Sequence, residues 1–141
     1  MSDFNMALIE DLRAHGGQAT SGSFVGRTLL ILTTTGAKSG ERRETPLVYS
    51  RDGDAFVIVA SMGGAPQHPA WYHNLLAHPT VTTEVGGQAI EMQATIADEV
   101  ARRRLYDQHA ATNPTFLEYE ARTSRVIPVI VLRSEAASAA A

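Results

Sequence analysis

The sequence predicts a mainly β fold with peripheral helices (α+β), an antiparallel sheet rolled into a small closed or half-open barrel. Three observations predict it. Short β-like runs recur at even spacing, tight turns at Asp52-Gly53 and Gly86-Gly87 pair them, and the helical stretches gather at the ends with one crossing between strand groups. A doubly wound parallel sheet is excluded, because no Gly-x-Gly-x-x-Gly follows a strand and strand–helix alternation is absent.

Each element has its own signal. Phe4, Leu8 and Leu12 recur every four residues with Ile9 beside them, so a helix is expected over 3–14, and His15-Gly16-Gly17 closes that unit at 15. A polar loop covers 18–23. Strands are expected over 28–34 and 44–50, flanking a basic turn, then over 55–60, and later over 81–85 and 89–96. In the last of these Ile90, Met92, Ala94 and Ile96 share one face, the pattern of a strand with one side in the core. Pro69 opens a helix over 70–78 that Pro79 stops. Asp98 caps a helix to about 110, with Val100 and Leu105 expected inside, and Pro114 starts another piece through Arg122. A closing strand over 127–132 is interrupted by Pro128, and 134–141 reads as a disordered, alanine-rich tail. The barrel is therefore expected to occupy 1–133 as one domain.

Composition narrows the function. At 141 residues and 44% hydrophobic content the chain can build a proper core. A net charge of −3 and a pI near 5.9 argue against a nucleic-acid partner. Without cysteine there is neither a disulfide framework nor a thiolate metal site. Asp3, Glu10 and Asp11 interrupt the first apolar stretch, so it is neither a signal peptide nor a spanning helix. No stable membrane insertion is expected. The location expected is cytoplasmic, with a peripheral membrane association left open.

The stretch with most chemistry is the turn between the first two strands. Gly36 and Gly40 bracket Lys38 and Ser39, and Arg42 and Arg43 follow. Glycines let backbone N–H groups converge on one point, and basic side chains add charge-assisted bonds, so the turn reads as an anion grip. Its charge is modest, three cations against Glu41 and Glu44 over 36–44. A solvated hairpin turn is the competing reading. It is not a P-loop: glycine does not directly precede Lys38, and a strand rather than a helix follows. His68, His73 and His78, spaced by five, do not stack on one helix face, so no metal site is expected. Ser61 lacks a Gly-x-Ser-x-Gly setting. With no self-sufficient catalytic group visible, any enzymatic chemistry must be a cofactor's.

Two long motifs resemble a known family. Thr35-Gly-Ala-Lys-Ser-Gly-Glu-Arg-Arg-Glu-Thr-Pro-Leu47 and Ala60-Ser-Met-Gly-Gly-Ala-Pro-Gln-His-Pro-Ala-Trp-Tyr-His-Asn-Leu75 are similar to the deazaflavin-dependent nitroreductase family, the F420H2-dependent reductases abundant in actinobacteria. The likeness begins at Ile9-Glu-Asp-Leu-Arg-Ala-His-Gly-Gly17 and extends to Arg122-Thr-Ser-Arg-Val-Ile-Pro128, so it covers nearly the whole chain. The resemblance implies a split β-barrel of the flavin-reductase, FMN-binding-like type that holds the deazaflavin F420. FMN is the alternative cofactor. By the same resemblance Lys38, Ser39, Arg42 and Arg43 would hold the phosphate and the acidic oligoglutamate tail, and Thr45, Pro46 and Leu47 would line the groove. Ala60, Ser61, Gly63 and Gly64 would pass close to the ring. Trp71 and Tyr72 would build the closing helix, and Asn74 would support the loop. Tyr119, with Ser61, would order the substrate or deliver a proton.

Phe116 and Arg122 stand where the resemblance leads one to expect further aromatic hydroxyls, and Met62 where a polar or basic residue is common. The function expected is hydride transfer from reduced F420 to an electron-poor small organic acceptor, a quinone, enone or nitro compound, by a monomer or homodimer. Two other readings remain at this level. One is a non-enzymatic carrier of F420, a flavin or a lipid on the same barrel. The other is an oligonucleotide-binding barrel, which the acidic pI and 6% aromatic content disfavour.

Overall fold

A computed structural model of the chain describes residues 3–22, 24–27 and 29–134; of these, the side chains of Asp3 and Phe4 are outside what is described, and with them the expected Phe4 contact. The expected strand start at Thr28, Ser23 in the polar loop and the tail residues 135–141 lie outside the described residues too. Ser134, read as tail, closes a strand.

Seven antiparallel strands run β1 (Leu29–Thr35), β2 (Arg42–Val48), β3 (Ser50–Asp52), β4 (Ala55–Val59), β5 (Thr80–Val85), β6 (Gln88–Ile96) and β7 (Val129–Ser134). In the sheet they stand in the order β2-β1-β5-β6-β7-β4-β3. Its two edges, β2 and β3, are consecutive in the chain and separated only by Tyr49. Two Cα–Cα steps span at most about 7 Å, so strands at opposite ends of the order must come together there and the sheet must curl. The half-barrel is thus imposed by topology. Pro46, which has no N–H for a ladder, lies in an edge strand opposite Ile31.

The central strands are buried on both sides, which is why they read as continuous apolar runs rather than alternations. Leu29, Ile31, Val57, Val59, Val129 and Val131 face one core with Leu8, Ile9 and Leu12 of α1 (Asp3–Ala14). Leu30, Leu32, Phe56, Ile58, Ile130 and Leu132 face the other, capped by Trp71 and Leu75 of α2 (Ala70–Ala77). Leu105 and Tyr106 of α3 (Glu99–Thr112) and Phe116 of α4 (Thr115–Arg122) complete the first core. No helix among the described residues is long and apolar enough to cross a membrane.

Several boundaries and faces differ from expectation. The strand expected over 44–50 is two strands that meet at Tyr49, and the one over 127–132 begins after Pro128 and runs to Ser134. Asp98 caps α3 as expected, its carboxylate accepting from the Ala101 N–H at 2.9 Å. Val100, however, is 83% exposed, because it leaves the cap on the solvent side while Leu105 points inward. In β6 only Met92 is fully buried; Ile90 and Ile96 are exposed. Residues 88–91 pair with β5 alone, since the β7 ladder begins at Met92, so Ile90 projects past the covered part of the sheet.

Candidate active site

The β1–β2 turn is built largely from its own backbone. Gly36 N–H donates to the Glu41 carbonyl at 2.8 Å, Gly40 N–H to the Gly36 carbonyl at 3.0 Å, and the Ser39 hydroxyl accepts from the Glu41 N–H at 3.1 Å. A Cβ at residue 36 would stand 2.5 Å from Ser39 Oγ, so a larger residue there would displace the Ser39 hydroxyl from its bond to the Glu41 N–H. Lys38 projects from the tip with no hydrogen bond or ion pair among the described residues.

Asn74 joins this turn to the second motif. Its Oδ1 accepts from the Ala37 N–H at 3.0 Å and its Nδ2 donates to Thr34 Oγ1 at 3.4 Å. Between hairpin and helix lies a cleft of about 630 Å³ whose walls include Lys38, Ser39, Arg43, Thr45, Trp71 and Asn74. His73, Ala70 and Asn5 also line it, and sequence reasoning had set His73 aside. Glu44 is the one acid on the wall among the described residues, and Arg13 of α1 holds it while bonding Glu84 at 3.1 Å. Among the described residues Arg43 pairs only with Glu41, at 3.2 Å and largely in solvent, a pairing weak enough for an incoming anion to replace. The cleft therefore presents two available cations beside an apolar wall.

Arg42 is not brought there. Arg42, at the start of β2, lines a separate depression with Thr35, His78 and Glu91. Pro46 and Leu47 lie further along β2, half-buried, and do not line the cleft either.

The segment after β4 forms a second constellation. Ala60 and Ser61 are buried, and a single 3-10 turn, Met62–Gly64, follows. Met62, Gly63 and Gly64 all take positive φ, 46°, 64° and 81°. At Gly63 nothing stands within 4 Å of where a Cβ would be, so its backbone is open to a flat ligand. Gly64 is different: a Cβ would lie 2.7 Å from the Tyr119 carbonyl oxygen, so glycine is required by α4 rather than by a ligand. Tyr119 is half-buried, its ring 5.2 Å from Phe116 and under the Arg122 guanidinium, outside the cleft of Lys38. Tyr72 packs on His68 with ring centroids 4.8 Å apart.

The family described as F420H(2)-dependent quinone reductase matches residues 7–134. This chain belongs to that family. An F420H2-dependent quinone reductase of Mycobacterium tuberculosis is 45% identical over 108 residues, 73% of this chain and 71% of the relative. A solved F420H2-dependent reductase, FDR-A, is 35% identical with a TM-score of 0.69 and covers 74% of this chain and 93% of its own. A structure described as a domain-swapped dimer is 31% identical with a TM-score of 0.71, covering 94% of this chain and all of its own. A pyridoxamine 5'-phosphate oxidase-like protein of Listeria innocua, 12% identical with a TM-score of 0.54 over 94% of each chain, shares the split-barrel fold. As a member of the F420H2-dependent quinone reductase family the chain is an F420H2-dependent reductase, and coenzyme F420 is its cofactor. The residues present fit that group: Lys38 and the weakly paired Arg43 suit an acidic tail, and the open backbone at Gly63 suits a planar ring.

This chain carries a further residue here that the motifs did not single out. Arg125 donates to the carbonyls of Ala65 (2.8 Å), Ala60 (3.1 Å) and Ser61 (2.7 Å), and contacts His68 Nδ1 at 2.9 Å. Burial, then the nearby Arg125 and His73 charges, lower the His68 pKa, so its Nδ1 is an acceptor. The only sequence signal was an arginine just before Val-Ile-Pro, which nothing distinguished from a surface cation.

Proposed function

We propose that the cleft between the β1–β2 hairpin and α2 grips the phosphate and oligoglutamate tail of F420 through Lys38, Ser39 and Arg43, while the ring lies over 61–64. The carrying observation is the Asn74 bridge, which turns two distant motifs into one cleft with available positive charge. Bound F420H2 supplies a hydride from C5 to an electron-poor acceptor. The named relatives point to a quinone, reduced to its hydroquinone by that hydride and one proton; enones and nitro compounds are the further classes to test. The chain's own part is to hold the cofactor at its tail, exclude water behind Trp71, and present the ring to the acceptor. Tyr119 and Ser61 are the groups we assign to acceptor alignment and proton delivery, Tyr119 from α4 beside the 3-10 turn and Ser61 from its base.

The test is a fluorescence titration with F420. Each charge-assisted bond is worth about 1.5–3 kcal/mol, so Lys38→Ala and Arg43→Ala should each weaken binding by about 10- to 100-fold. Arg42→Ala, in the separate depression, should change it less than about twofold. Equal losses at Arg42 and Arg43 would refute the placement of the tail. Tight binding of FMN or haem with none of F420 would refute the cofactor assignment, and F420H2 that binds but is never oxidised across a quinone panel would favour a carrier.

A further inference from the structure

We propose that Arg125 is a positioning residue for hydride transfer, its guanidinium setting the conformation of the 60–65 segment over which the ring lies; this rests on that placement of the ring. One planar group reaches three carbonyls and a histidine nitrogen, and so fixes both ends of the segment and its base at once. The segment needs such a fixture. Three consecutive residues stand at positive φ, one of them Met62, and within the turn only Gly64 N–H to Ser61 and Ala65 N–H to Met62 hold the backbone. A non-glycine residue in the left-handed region persists where its surroundings over-determine it.

The partners of Arg125 are unusual for a half-buried cation. Buried charge is ordinarily paired with opposite charge, yet no carboxylate is among the partners of Arg125, which are neutral acceptors. Desolvation lowers its pKa. The clamp is itself anchored. Arg125 N–H donates to Thr123 Oγ1 at 3.2 Å, the Ile127 carbonyl accepts from Arg102 at 2.7 Å, and the Pro128 carbonyl accepts from Ala60 N–H at 3.0 Å. The base of the ring segment is thus tied to α3 and to the start of β7, far in sequence from the hairpin that grips the tail. Tail binding and ring alignment become separable.

That separation is the test. Lysine keeps the charge but cannot reach the same acceptors in one plane, so Arg125→Lys should bind F420 within about threefold of wild type while kcat for a soluble naphthoquinone falls about 10- to 100-fold. Methylguanidine at tens of millimolar should restore about tenfold of the activity lost in Arg125→Ala. Should both arginine variants fail to fold, His68→Leu decides: it removes one acceptor and should lower kcat about fivefold with F420 affinity kept, whereas His68→Asn should retain activity. A folded Arg125→Lys or His68→Leu with wild-type kcat overturns the inference, as does a loss of F420 affinity in proportion to kcat. If wild-type protein binds no F420, the ring placement fails and this inference with it; if it binds and the variants keep their rate, only the clamp is refuted.

Discussion

Gly64 and Gly63 adjoin in sequence, yet different forces choose them. A Cβ at 63 would meet open space, whereas at 64 it would strike the α4 backbone at 2.7 Å. Gly64→Ala must adopt a left-handed φ and also push α4 aside. The first effect alone costs about 1–2 kcal/mol. Denaturant unfolding should therefore place Gly64→Ala at least about 2 kcal/mol below wild type, and Gly63→Ala only about 1 kcal/mol below. Residue identity told the sequence reader that backbone approached something here; it did not tell what. The same holds for cations. Lys38 and Arg43 were legible because glycines and a turn surrounded them, while Arg125, with the densest set of backbone contacts, had no local pattern, since its partners are about 60 positions away.

At the scale of elements, legibility followed local chemistry. Caps and turns were readable: Asp98 for α3, Pro69 for α2, Gly86-Gly87 between β5 and β6. Faces were less so, because which side of a strand is covered depends on elements remote in sequence; Ile90 and Ile96 alternate correctly and still emerge at the surface. The division of Arg42 from Arg43 comes from neighbours remote in sequence: Arg42 lies beside His78 and Glu91, Arg43 beside Trp71 and Asn74. Asn74 couples the hairpin to α2 through two bonds, neither of which is deeply buried. Asn74→Ala should cost only about 1 kcal/mol of stability in a melt, yet weaken F420 binding about tenfold by loosening one wall of the cleft. A folded Asn74→Ala that loses stability but keeps wild-type F420 affinity would mean that Asn74 stabilises without shaping the site.

Across the whole molecule the largest pH lever is His109, wholly buried between Ser50, whose hydroxyl is 2.8 Å from Nδ1, and the Phe116 ring. Desolvation lowers its pKa to about 4 from the model-peptide 6.5. The unfolded chain therefore binds the proton first as pH falls. Stability is full above about 6.5, declines between 6.5 and 4, and flattens below, a loss of about 3 kcal/mol. Urea midpoints measured across that range should show the slope, and His109→Gln should remove most of it. Local sequence could not reveal this, because a helical histidine becomes buried only when α3 meets the joint between β2 and β3. That joint has one more consequence. Among the described residues the sheet ends in two edge strands, one interrupted by Pro46 and bearing two arginines, the other three residues long. Neither offers a foreign strand a continuous ladder of free donors and acceptors, so the native protein is poorly suited to templating fibrils, and self-association at high concentration should proceed through exchanged segments or helical faces rather than by edge-to-edge growth.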